Sequence, residues 1–151
     1  MTSANPKKKK LRNEIGKGGV SSMTFKELKK LKMSGEIHDF FRLTGGFSGG
    51  KYVPHVSPGT FDFIFFMDDV FVVLLETKKE GHGVELKDLD YEQREFVKKF
   101  INMRRVVCAA INHEKKVRDL IAYIRVNAAY KKHPGEFAIV NNWVRRGINE
   151  T

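Results

Sequence analysis

The chain has 151 residues, of which 41% are hydrophobic and twelve are Phe, enough for one domain with a substantial core. Its formal charge of +10 and pI near 9.7 favour a polyanionic partner such as nucleic acid over an acidic small molecule. A single Cys108 excludes an internal disulfide and a Cys/His zinc site, and no run approaches the roughly 18 apolar residues of a membrane helix or resembles a secretory signal, so a cytoplasmic protein without membrane contact is expected.

Residues 1–22 combine Lys7, Lys8, Lys9, Lys10, Arg12 and Lys17 with Gly16, Gly18, Gly19, Ser21 and Ser22. Such a composition buries little apolar surface, and a flexible basic arm is expected ahead of a single domain over 23–151. Thr24 has Glu27 three residues later in capping-box spacing, and Phe25, Leu28 and Leu31 share one stripe before Gly35, which predicts a helix over about 24–34. Ile37 to Leu43 reads equally as a strand or as a continuation of that helix. Residues 44–60 hold five glycines and two prolines and read as a loop. Two apolar runs follow, Phe61 to Phe66 and Val70 to Leu75, separated by Met67-Asp68-Asp69, which predicts a hairpin of buried strands.

A short loop from Lys79 to Leu89 precedes Asp90, which can cap a helix carrying Tyr91, Gln93, Phe96, Val97, Phe100 and Ile101. Val106 to Ile111 reads as a third buried strand, with Cys108 as a small apolar residue in it, and Glu114 to Tyr130 as an amphipathic helix ended by Pro134-Gly135. The tail containing Trp143 is too short to assign. A crossover helix between the second and third runs would make those two strands parallel. The expected fold is α/β, a mixed sheet flanked by helices.

Side chains alternate along a strand, so Glu76 and Lys78 share a face, and hairpin pairing brings Asp62 to the same end. Two carboxylates and an ammonium then converge on apolar strands, where unpaired charge is costly. Hard oxygen ligands of this kind suit a divalent cation, and a cation beside it suits phosphodiester hydrolysis. A structural ion-pair cluster in a basic binding module uses the same residues and stays open.

The order of elements, with Asp62 followed by Glu76-Thr77-Lys78 and then by Gln93 on a helix, resembles the PD-(D/E)XK nuclease superfamily. Within it, the Holliday-junction resolvase and VRR-NUC group is the nearest in pattern. The stretch from Leu75 to Lys79, continued through Glu85 to Gln93, looks most like the RecU-type resolvases. Phe61 stands where the superfamily motif has proline.

The resemblance implies a restriction-endonuclease-like sheet and a magnesium-dependent endonuclease acting on DNA, with manganese able to substitute. Asp62, Glu76 and the Thr77 carbonyl would hold the metal, Lys78 would serve the attacking water, and Gln93 would support the site. Glu27 matches the acid that the superfamily places on its first helix, and Glu36 competes for that role. Ser48, Lys51, His55, Lys79, Lys98 and Lys99 are candidate DNA contacts. A homodimer acting on four-way junctions is implied, in a bacterial or phage-encoded, nucleoid-associated protein. A related nuclease with a nicking, repair or restriction substrate remains the alternative.

Overall fold

The computed structural model describes residues 11–43, 46–48, 51–53, 59–69, 71–100, 103 and 105–130, with backbone alone at 46–48, 51–53 and 127–130. His55, the Lys7–Lys10 run and the tail with Trp143 lie outside the described residues. In chain order the elements are α1 (Val20–Met33), β1 (Asp39–Arg42), β2 (Gly46–Ser48), β3 (Lys51–Val53), β4 (Phe63–Met67), β5 (Phe71–Thr77), α2 (Tyr91–Lys98), β6 (Val106–Ile111) and α3 (Lys116–Tyr130). A short 3-10 turn, Leu86–Asp88, leads into α2.

Four strands form one mixed sheet in the order β1-β4-β5-β6, and β2 and β3 form a separate hairpin. β4 and β5 are antiparallel neighbours around Asp68 and Asp69, and β5 and β6 are parallel across the α2 crossover, as the sequence predicts. The apolar residues sort by parity. Phe63, Phe65, Val73, Leu75, Val107 and Ile111 face a core closed by α1 and α3, through Leu28, Leu31, Leu120 and Ile124. Leu74, Cys108 and Ala110 face a second, smaller core with Val97 of α2, Phe61, Val84 and Leu89. The sheet is therefore covered on both faces, which explains why its central strands are almost wholly apolar. Cys108 is a free, buried thiol that burial pushes up to about 12, in keeping with an apolar role.

Two details differ from the expectation, and one open alternative is decided in favour of a strand. The first helix starts at Val20, within the stretch assigned to the arm, because Gly19 rather than Thr24 serves as its N-cap. A Cβ at Gly19 would lie 2.8 Å from the carbonyl oxygen of Asn13, so only glycine lets the chain turn there. Thr24 is fully buried on the core face of α1; its polarity, read from the sequence as a cap, hid the true register. Residues 37–43 contain β1, paired antiparallel with β4, and the loop over 44–60 contains the β2–β3 hairpin. No helix among the described residues is long and apolar enough to cross a membrane.

Candidate active site

Pairing of Phe63 with Leu75 places Asp62, one residue before β4, opposite Glu76 near the end of β5. Asp62 is fixed there by two donors from the neighbouring strand: the backbone N–H of Thr77 at 2.8 Å and the Thr77 hydroxyl, both on Oδ2. Glu76 and Lys78 have the parity of Leu74 and so face α2, with Glu76 4% and Lys78 8% exposed.

From α2 comes Gln93, in a capping box with Asp90. Its Oε1 accepts from the Asp90 backbone N–H at 3.2 Å and from Lys78 Nζ at 3.1 Å, while its Nε2 donates to Glu76 Oε2 at 2.8 Å. Lys78 Nζ lies 3.3 Å from the same Glu76 oxygen. The first turn of α2 is thus tied to the end of β5 through one amide, and both termini of that amide are used.

The electrostatics are those of a site short of positive charge. Burial pushes the Glu76 carboxyl up to about 8; the negative charge of Asp62 adds to this, and Lys78 and Gln93 oppose it. Asp62 is likewise raised by burial, against the Thr77 bonds and the charges of Lys78 and Arg42. Among the described residues, Glu76 Oε1 is buried without a hydrogen-bond partner. A buried acceptor of this kind is costly, and here it belongs to a carboxylate beside a second carboxylate. An orphaned hard oxygen next to another acid fits a divalent cation.

Sequence reasoning placed Asp62, Glu76, Thr77, Lys78 and Gln93 together, and the structure does so. Glu27 is elsewhere. Its carboxylate receives the Arg118 guanidinium at 2.8 Å, in a bridge between α1 and α3 on the opposite layer, and Glu36 meets the same arginine at 3.3 Å. Both candidates for the further acid are therefore bound by one cation away from Glu76, and neither joins the site. The resemblance that suggested Glu27 is thus not matched by its position, and its capping-box spacing from Thr24 is not used either, since the helix is capped at Gly19. Among the described residues no group of three or more His, Cys, Asp or Glu side chains converges as a metal cage.

Lys79 is exposed immediately beyond Lys78, whereas Lys98 and Lys99 are exposed at the far end of α2, where Lys98 pairs with Glu95 at 2.7 Å. Ser48 and Lys51 have their backbones in β2 and β3.

One acid was missed. Glu14, ahead of α1, has its carboxyl raised by burial and then by the charge of Asp62, with Lys78 and His82 acting in the opposite sense. It is the acid that the segment before α1 brings within electrostatic reach of Asp62. Its setting, Asn13-Glu14-Ile15-Gly16, carries no periodic pattern, so no sequence signal separated it from the arm. Comparison with protein-family models, with curated proteins and with solved structures finds no match to this chain.

Proposed function

We propose that this protein is a magnesium-dependent DNA endonuclease of the PD-(D/E)XK type, selective for branched DNA in the manner of a Holliday-junction resolvase. The observation that carries the reading is half-buried Asp62 beside buried Glu76, with a Glu76 Oε1 that has no hydrogen-bond partner among the described residues and the ammonium of Lys78 3.3 Å from the other Glu76 oxygen. Asp62, Glu76 and the Thr77 carbonyl would hold the magnesium. When bound, the ion supplies charge neutralisation at the scissile phosphate and a more acidic water.

The remaining chemistry falls to the chain. Gln93 keeps one Glu76 oxygen and the Lys78 ammonium in register, so that both reach the phosphate already oriented. Lys78 would present a positive charge to the phosphate oxygens as the water–phosphorus bond forms and the bond to the deoxyribose oxygen breaks, the water's proton passing to solvent and the leaving oxygen taking one up from solvent. Exposed Lys79, beside the site, suits a backbone phosphate, and the net charge of +10 suits a duplex arm. Symmetric cutting of a junction requires two such sites, hence a homodimer.

A structural reading has one observation in its favour, the closed ring of Glu76, Gln93 and Lys78 hydrogen bonds. One experiment separates the two. Labelled four-way junction and matched linear duplex are incubated with purified protein in magnesium and in EDTA. The nuclease reading expects paired nicks on the junction only with magnesium, lost in Asp62→Asn while junction binding in EDTA persists. No cleavage by the wild-type chain, with Asp62→Asn and Glu76→Ala merely less stable, would leave a binding module. Equal cutting of both DNAs would retain the chemistry and discard the junction preference.

A further inference from the structure

Residues 11–19 are held along the carboxyl ends of β5 and β6 before the chain enters α1. Arg12 exchanges backbone contacts with Glu80: the Glu80 N–H donates to the Arg12 carbonyl at 2.9 Å, and the Arg12 N–H donates to Glu80 Oε1 at 3.2 Å. Its guanidinium donates to both oxygens of Glu114, at 2.7 and 3.3 Å. Glu80 follows β5 and Glu114 follows β6, so a single arginine joins the ends of the two parallel strands. Such a forked pair is geometrically specific in a way that a lysine contact is not.

Beyond Glu14 the chain is pinned again. Val20 N–H donates to the Asn13 carbonyl at 2.8 Å and Ser21 N–H to the Glu14 carbonyl at 2.7 Å, which also satisfies two free donors at the start of α1. Gly81, at φ +86°, lets Leu11 lie against the loop after β5; a Cβ there would come within 2.6 Å of its side chain. Glu14 is therefore fixed on both sides, by Arg12 before it and by the helix start after it. Ser21, bonded to the Glu14 carbonyl, accepts from the Arg42 guanidinium at 2.9 Å, and Arg42 pairs with Phe63 next to Asp62, so half-buried Glu14 lies at the Asp62 end of the sheet.

We infer that residues 11–19 are a strap in which Arg12, anchored on Glu80 and Glu114, is a positioning residue that holds the Glu14 carboxylate over the Asp62–Glu76 pair to accept hydrogen bonds from water of the hydrated cation. The inference rests on the metal-site reading proposed above. It assigns Glu14 an outer role, consistent with the absence of a three-acid cage among the described residues and with the preference of magnesium for retaining water. Because coupling is reciprocal, the cation must in turn stabilise the strap.

The test uses the full-length protein and manganese as the probe. Manganese affinity is measured by calorimetry, and strap closure by hydrogen exchange at the Val20 and Ser21 amides. Expected results are an affinity loss of roughly 10–100-fold in Glu14→Gln and in Arg12→Gln, with no further loss in the double variant. Manganese should slow exchange at both amides in the wild type and not in Glu14→Gln. The charge-swapped pair Arg12→Glu with Glu114→Arg should recover affinity, which a merely misfolded variant would not. Faster exchange in Arg12→Gln with unchanged manganese affinity would overturn the inference alone, as would full affinity in Glu14→Gln. A wild-type chain that binds no manganese would overturn the metal site itself, and the strap's role with it.

Discussion

At Glu76 two demands meet: the carboxylate would need its charge to hold the proposed cation, yet it sits 4% exposed beside Asp62. Burial lifts its folded-state value to about 8 from an ordinary 4.5. The folded chain thus keeps a proton that the unfolded chain releases, and the stability contributed by neutral Glu76 is present at low pH and lost as pH rises from 4.5 towards 8. Thermal melts of metal-free protein should decline across that window, and Glu76→Gln should flatten the decline; an unchanged slope in the variant would show that Glu76 ionises there without cost. Gln93 is held by three partners at once, so Gln93→Ala should lower the magnesium-dependent cleavage rate by roughly 10–100-fold while the fold persists. Glu27→Gln, by contrast, should leave cleavage unchanged, since its partner is Arg118; a large loss of rate would restore it to the site. Asp62, Glu76 and Lys78 were legible because strand alternation and hairpin pairing are local rules. Glu14 was not, because its placement depends on Arg12 finding Glu80 and Glu114, contacts 68 and 102 residues away in sequence.

Among the elements, the one most exposed to error is the entry to β4. Gly59, at φ +81°, is so close to α2 that a Cβ there would lie 2.5 Å from the Glu92 carbonyl oxygen. This contact sets the approach of the chain to Asp62 from the side of α2. Gly59→Ala should destabilise the protein by more than about 1 kcal/mol, measured by denaturant melts, because both the backbone angle and the space reject it. A neutral effect would mean that the approach is loose. The central strands and the α2 crossover were readable from the sequence since apolar runs bounded by turn residues have few alternatives. The start of α1 was not: Ser21 and Thr24 are polar yet buried, so the apolar stripe of the sequence begins one turn late. β1 was undecidable because Phe40 and Phe41 suit a helix or a strand, and only pairing with Phe65 and Ile64 of β4 decides it.

For the whole molecule, a cation that binds only the folded state should raise stability by about 2.7 kcal/mol at a hundredfold excess over its Kd. Melting in magnesium against EDTA, with Asp62→Asn as the reference, measures this directly; equal shifts in both proteins would place any bound cation elsewhere. The parallel pairing of β5 with β6 has a further consequence during synthesis. Asp62 and Glu76 lie on one hairpin of neighbouring sequence, so both have been made once β4 and β5 have been translated. β5 gains its second neighbour only when Val106–Ile111 follows, with α2 and Gln93 threaded between. Closure of such a long-range contact is slow relative to a hairpin. A nascent chain would therefore carry the acids well before the scaffold that aims them, which delays any competence to cut nucleic acid until most of the domain has been translated.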